Sequence, residues 1–176
     1  MDALDLTLLN LMATHPRIGV LELARLAGVA RATVSARLAR LESSGIITGY
    51  GPQVDLVAAG YPVQAMVTLE IAQGRLETVA ELLTGVPGVL EAYATTGTGD
   101  VVCRLAAASH DDLQGLLLEL DRSDAIRRST SVVILSVVVA PRTLPLLSQR
   151  TRPAPVRAPG FRPANAGAGP ESVGYV

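Results

Sequence analysis

The chain has 176 residues, of which 49% are hydrophobic, 3% are aromatic and 18% are charged, enough for one ordinary domain or two small ones. A single cysteine excludes an internal disulfide and gives no metal-site spacing, and no apolar run is long enough to cross a bilayer. The net charge is only −1, but residues 51–140 are strongly acidic, so we expect any contact with a polyanion to lie outside them. The acidic start MDALDLTLLN does not resemble a secretory signal, which predicts a cytoplasmic location.

Three helices are predicted in the first part of the chain. Residues 2–13 carry apolar side chains at helical spacing, and His15-Pro16 ends the pattern. Residues 18–47 predict two more short helices around a tight turn at Gly28, where a residue that tolerates positive φ is needed. Two short helices around such a turn, with a third to complete the core, are typical of a helix-turn-helix DNA-binding unit.

The last of these helices is predicted to have a buried side and a DNA-facing side. The buried stripe consists of Ala30, Val34, Leu38 and Leu41. The other side carries small alanines flanked by guanidinium and hydroxyl groups, which suits entry into the major groove. The candidate DNA contacts are Arg31, Thr33, Ser35, Arg37 and Arg40. An ordinary solvated helix also fits this pattern, and Ala30 stands where a capping Ser, Thr or Asp is expected.

Glycine and proline punctuate residues 48–62, TGYGPQVDLVAAGYP. We expect a short strand or wing here. It leads into a linker over 51–61, which separates a helix-turn-helix domain at 1–50 from a second domain at 62–140.

The second domain is predicted to have the order strand, helix, strand, strand, helix, strand. The predicted segments are 63–71, 75–84, 89–95, 100–107, a helix capped by Ser109, and 131–139. This is the ferredoxin-like βαββαβ arrangement, so the fold class is α+β. Both helices cover one face of the sheet, and a second copy of the chain is the expected cover for the other, which predicts a homodimer.

The last segment, residues 141–176, holds seven of the eleven prolines together with five arginines. Such a composition cannot bury a core, so we predict a disordered, solvated Pro/Arg/Ala-rich tail. A basic tail that touches DNA phosphates is the alternative.

The two halves together resemble the Lrp/AsnC (feast/famine) family of transcription regulators. The opening DALDLTLLNLM is similar to the family's LDxxDxxIL start, with Asp2 and Asp5 at its acidic positions. ELARLAGV and VSARLARLESSGIITGY are similar to the family's helix-turn-helix pattern. TGTGD at 96–100 resembles the TGxxD of the effector-binding half, the RAM domain, and RRSTSVVILSVVV resembles its closing strand. The chain departs from the family at Ala30, where Ser is usual, and in its long tail.

The resemblance implies a sequence-specific regulator that binds double-stranded DNA as dimers, which assemble into tetramers or octamers. An amino acid or similar small molecule at the RAM domain is implied to modulate assembly or DNA affinity. The implied effector contacts are Gly97, Thr98, Gly99, Asp100 and Ser131. Backbone N–H groups of a glycine-rich turn can hold a carboxylate, and Asp100 can hold an ammonium group. The same residues also fit a plain hairpin that Asp100 caps.

Two rival functions remain open. One is a regulatory subunit of an amino-acid enzyme, although His15, His110 and Cys103 form no recognisable nucleophile–base arrangement, so no catalytic residue, metal or cofactor is expected. The other is a ligand-independent architectural DNA-binding protein, whose binding would not respond to amino acids.

Overall fold

A computed structural model describes residues 1–150 of the chain. These residues form two compact units, one made of Met1–Thr48 with the described residues after Pro141, the other of Gly49–Pro141. The helices are α1 (Ala3–Thr14), α2 (Val20–Ala27), α3 (Arg31–Ser43), α4 (Leu76–Gly85), α5 (His110–Asp121) and α6 (Leu144–Arg150). The strands are β1 (Val63–Ile71), β2 (Val89–Ala94), β3 (Val101–Ala107) and β4 (Ile126–Val133).

The first unit contains the predicted helix-turn-helix. Leu8 of α1, Leu23 of α2 and Val34 of α3 meet in one buried cluster. Gly28 ends α2 in the left-handed region with a φ of +68°, as the tight turn requires. The prediction that Ala30 belongs to the buried stripe is wrong, because α3 begins at Arg31 and the extended backbone of Ala30 leaves its side chain exposed.

The strand or wing predicted over 48–62 is not formed. This segment contains no strand, and its local order is a turn that begins at Asp55. The Asp55 carboxylate accepts hydrogen bonds from the backbone N–H groups of Val57 and Ala58, at 2.9 and 3.1 Å. Glycine and proline thus mark the end of the helical unit, as predicted, but the aspartate turn takes the place of strand pairing.

The prediction of disorder from residue 141 onward is wrong for 144–150, which form α6. This helix packs against α1, and its Leu144 and Leu147 are half-buried. On α1, Leu6 and Leu9 lie away from the main core side of the helix and are also half-buried. Burial of the leucines in TLPLLSQ therefore favours a helix here, although the proline and arginine content of the whole segment predicts disorder. The rest of the predicted tail, residues 151–176, lies outside the described residues.

The second unit is the predicted α+β domain. Its four strands pair in the order β2-β3-β1-β4, and every pairing is antiparallel. Alternate residues of β1 and β3 face a core that α4 and α5 close from one side. Wholly buried members of that core include Val67, Leu69, Cys103, Leu105 and Leu120.

The last strand lies earlier than the predicted 131–139. β4 runs over Ile126–Val133, and its final pair with β1 joins Ala65 to Val133. Because β1 begins at Val63, the residues after 134 have no strand of this chain to pair with. The apolar residues Leu135 and Val138 are accordingly exposed, at 96% and 91%. The polar start of β4 was missed because an edge strand tolerates polar side chains.

Candidate DNA-binding and effector sites

The exposed side of α3 consists mainly of small, hydroxyl and basic residues. Val34, Leu38 and Leu41 bury the inner side of the helix. The exposed residues on the remaining surface are Arg31, Ala32, Thr33, Ser35, Ala36, Ala39, Arg40, Glu42 and Ser43. Alanines permit close approach of a helix to base edges, while Arg, Thr and Ser donate hydrogen bonds to bases or phosphates. The predicted DNA contacts Arg31, Thr33 and Ser35 are therefore all accessible.

The other two predicted DNA contacts, Arg37 and Arg40, are paired with acids of α1. Asp5 is fully buried, and its carboxylate accepts hydrogen bonds from Arg40 Nη2 at 2.6 Å and from Arg37 Nη1 at 3.2 Å. Arg37 Nη1 also donates to the carboxylate of Asp2, the N-cap of α1. We call these four residues the α1–α3 ion-pair cluster. It joins α1 to α3.

The buried carboxylate of Asp5 receives its hydrogen bonds from other members of the α1–α3 ion-pair cluster. The backbone N–H of Asp2 donates to Asp5 Oδ2 at 2.8 Å, and the backbone N–H of Asp5 donates to Asp2 Oδ1 at 3.0 Å, which forms a reciprocal capping box. Asp5 therefore has three donors around a buried carboxylate, which offset the cost of its desolvation. The Arg37 guanidinium lowers the pKa of Asp2 from 3.8 to about 2, so this carboxylate is ionised at neutral pH.

Sequence reasoning did not predict this pairing. Asp2 and Asp5 were identified only through the family pattern, and Arg37 and Arg40 only as groove contacts. A signal was present, since the two acids are three residues apart on one helix and the two arginines are three residues apart on another. Matched spacing of opposite charges on neighbouring helices was the clue. Whether either arginine also touches DNA stays a prediction.

The predicted effector loop joins β2 to β3 and is fastened to β1. The backbone N–H of Asp100 donates to the Leu69 carbonyl at 2.9 Å, and Asp100 Oδ2 accepts the Ile71 N–H at 2.7 Å. Within the loop, Thr95 Oγ1 donates to the Gly99 carbonyl at 2.8 Å. One oxygen of the Asp100 carboxylate thus caps the end of β1, and the other carries no described bond.

The glycines of this loop have different roles. Gly99 is buried, and a Cβ at this position would lie 2.1 Å from Thr68 Cγ2, so no larger residue fits without movement. Gly97 is exposed with a φ of +152°, which L side chains rarely adopt. Gly97, Thr98 and Asp100 are exposed, as a ligand-binding loop requires.

Ser131, the fifth predicted effector residue, lies on a strand rather than in the loop. It pairs with Val67 on β1, two residues before Leu69, to whose carbonyl Asp100 is bonded. Paired residues share a face of the sheet, so Ser131 lies on the side that carries the helices, and it is exposed. The structure therefore brings four of the five predicted effector residues together and places Ser131 farther along the sheet.

The face of the sheet opposite α4 and α5 is partly apolar and uncovered. Met66, Tyr93 and Val132 are 37%, 58% and 64% exposed. Between them, Arg104 Nε lies 2.8 Å from Glu91 Oε1, and Tyr93 Oη donates to Glu91 Oε2 at 2.9 Å. Apolar residues around a few paired charges are typical of a protein–protein interface.

Two features are absent from residues 1–150. They contain no group of His, Cys, Asp and Glu side chains placed to hold a metal ion. No helix in this range is long and apolar enough to cross a membrane.

Comparison with known proteins agrees with this architecture. Residues 1–42 match the AsnC-type helix-turn-helix domain, and residues 64–144 match the Lrp/AsnC ligand binding domain. The regulator Ptr1 of Methanocaldococcus jannaschii is 32% identical over 103 residues, which cover 58% of this chain and 70% of Ptr1. The chain belongs to the Lrp/AsnC family. It is thus a helix-turn-helix transcriptional regulator with a RAM domain.

Solved structures of Lrp/AsnC proteins share this fold. Escherichia coli AsnC superposes with a TM-score of 0.77 at 26% identity, covering 82% of this chain and 99% of AsnC. A transcriptional regulator of Neisseria meningitidis, solved as a complex with L-methionine, superposes with a TM-score of 0.78 at 21% identity. That comparison covers 85% of this chain and 99% of the other.

Proposed function

We propose that this Lrp/AsnC protein binds a specific DNA site through the exposed side of α3. The observation that carries the proposal is the division of α3 into a buried side at Val34, Leu38 and Leu41 and an exposed side of alanine, arginine and hydroxyl residues. Arg31 contacts a phosphate near the start of the helix, while Thr33 and Ser35 contact bases or phosphates. Function in the cytoplasm, as a regulator rather than an enzyme, is part of this proposal.

The test is the salt dependence of binding to the DNA upstream of the protein's own coding region. Loss of one phosphate contact weakens binding to all sequences and reduces the slope of log affinity against log salt by about one. We expect this from Arg31→Ala. Ser35→Ala is expected to reduce discrimination between the specific site and a shuffled duplex. Unchanged affinity and slope in both variants would contradict the assignment of α3.

We infer that a second copy covers the open face of the sheet. A second copy would remove the exposed Met66, Tyr93 and Val132 from water. The Arg104–Glu91 pair on the same face adds a polar contact that would set how the two copies align. A dimer carries two copies of α3, as a DNA site made of two half-sites requires. Tyr93→Asp is expected to shift the sedimentation of the protein toward monomer, whereas Leu21→Asp, on the exposed side of α2, is not.

We also propose that an amino acid bound near residues 97–100 changes DNA affinity or assembly. The exposed loop offers backbone N–H groups and the Asp100 carboxylate, which suit a zwitterion. The relative from Neisseria meningitidis, solved with L-methionine, makes L-methionine the first probe. A thermal-shift screen of the twenty amino acids is expected to find at least one that stabilises the protein. DNA binding that responds to none of them would favour the ligand-independent architectural alternative.

A further inference from the structure

We propose that Asp5 is a positioning residue for DNA binding, acting through Arg40 and Arg37. Asp5 holds the two guanidinium groups against the flank of α3 before DNA arrives. The inference rests on the DNA-binding surface proposed above. It adds to that surface a buried acid that cannot itself reach DNA.

The geometry shows how Arg40 can serve both Asp5 and DNA. Its described bond to Asp5 uses Nη2, while 53% of its side chain is exposed. A guanidinium carries five N–H donors in a planar fork, so the bond to Asp5 fixes the plane and leaves donors for the edge of a guanine base. Arg37 is more enclosed, with 29% of its side chain exposed, and its Nη1 lies between Asp2 and Asp5. Arg37 is therefore the inner support and Arg40 the outer contact.

Burial of Asp5 makes the positioning rigid. Asp5 is fully buried and sits in the capping box at the start of α1, so its carboxylate has a fixed place. A long side chain loses conformational freedom when it binds a partner, and fixing it beforehand removes part of that cost. Arg25 on α2 gives a contrast, since its ion pair with Glu22 is exposed on both sides.

Two effects of removing the acid have opposite signs. Asp5→Asn raises the charge of the unit by one, so electrostatics alone predicts tighter binding to any DNA. Loss of positioning predicts weaker binding to the specific site, because Arg40 is no longer held. The ratio of specific to non-specific affinity separates the two.

The experiment uses the full chain, a duplex from its upstream region and a shuffled duplex of equal length. For Asp5→Asn we expect about tenfold weaker specific binding, the size of one lost charge-assisted contact, and equal or tighter binding to the shuffled duplex. Glu22→Gln is the matched control, since it makes the same charge change in the same unit and frees Arg25. Its specificity ratio is expected to stay within about twofold of the wild type, the range of a surface charge.

A double-mutant cycle identifies the residue through which Asp5 acts. In an Arg40→Gln background, Asp5→Asn is expected to cause less than about twofold further loss of specific affinity, because the positioned group is already gone. Additive losses in this cycle would overturn the proposal. An unchanged specificity ratio in Asp5→Asn would also overturn it.

A folding defect in Asp5→Asn is checked by far-ultraviolet circular dichroism. If that variant does not fold, Asp5→Glu takes its place in the cycle with Arg40→Gln, since it keeps the charge but moves the carboxylate away from Arg40. Additive losses there overturn the inference, and non-additive losses support it. A wild-type protein that does not distinguish the two duplexes would contradict the proposed function itself, which is a separate result.

Discussion

Gly99 lies so close to Thr68 that a Cβ on the glycine would be 2.1 Å from Thr68 Cγ2. This close contact packs the loop between β2 and β3 against β1, the strand that pairs with both β3 and β4. A substitution at residue 99 therefore tests whether the loop position matters for ligand response. Substitutions elsewhere in the loop do not carry this steric constraint.

We expect Gly99→Ala to destabilise the RAM domain by roughly 1–3 kcal/mol, the usual cost of overpacking. Thr68→Ser removes the clashing methyl group and is expected to restore much of the loss in the double variant. Gly115→Ala on α5 is the control, since a Cβ there meets nothing within 4 Å and alanine favours a helix. Urea unfolding monitored by circular dichroism measures all four proteins, and equal stability of Gly99→Ala and wild type would contradict the steric reading.

Asp100 is expected to contribute to stability as well as to ligand binding. Asp100→Ala leaves the Ile71 N–H without its acceptor, at a cost of about 1 kcal/mol for an exposed bond. Asp100→Asn keeps an acceptor oxygen for the Ile71 N–H, so its stability is expected to be close to that of the wild type. The ammonium group of a bound amino acid, however, loses its ionic partner in this variant. Thermal shifts with and without the stabilising amino acid separate these roles. A full ligand response in Asp100→Asn would show that the carboxylate is not part of the binding site.

Acid is expected to weaken the α1–α3 ion-pair cluster through Asp2. The folded pKa of Asp2 is about 2, below its ordinary value of 3.8, because Arg37 donates to its carboxylate. The stability that this group contributes is therefore complete above about pH 4 and is lost as the pH falls through about 2. The difference in melting temperature between wild type and Asp2→Asn is expected to shrink over this range. A constant difference from pH 5 to pH 2 would contradict the ionic contact.

The covering of α1 by α6 predicts that a chain ending at Pro141 has a weakened helix-turn-helix unit. The apolar side chains exposed on α1 are expected to cost roughly 1–3 kcal/mol, because half-buried leucines return to water. Hydrogen exchange of the α1 amides reports this unit separately from the RAM domain. A chain ending at Arg150 keeps α6 and serves as the control. Equal α1 protection in both shortened chains would show that α6 contributes nothing.

Patterns that depend on local spacing were sufficient to predict most of the fold. Gly28, Ser109 and the alternation in β1 each predict an element from a few neighbouring residues, and each element is present. The end of β4 depends instead on where β1 begins, which is a long-range relationship that no local pattern contains. The turn at Asp55 replaced the predicted strand for a similar reason, since a strand needs a partner to be formed.

The candidate sites also differ in whether they follow from local spacing or from long-range packing. The exposed position of Arg31, Thr33 and Ser35 follows from the period of one helix, so it was predictable. The pairing of Arg40 with Asp5 depends on the packing of α3 against α1, 35 residues apart in the chain. The capping role of Asp100 likewise depends on which strand neighbours the loop. Family resemblance pointed to these residues without indicating their partners.

The return of the chain to α1 has a consequence for the order of synthesis. The ribosome makes α1 first and α6 only after the whole of Gly49–Pro141. A nascent chain therefore contains every residue of the RAM domain before it contains the helix that packs against α1. The helix-turn-helix unit is therefore expected to reach its full stability only after all residues of the RAM domain have been synthesised.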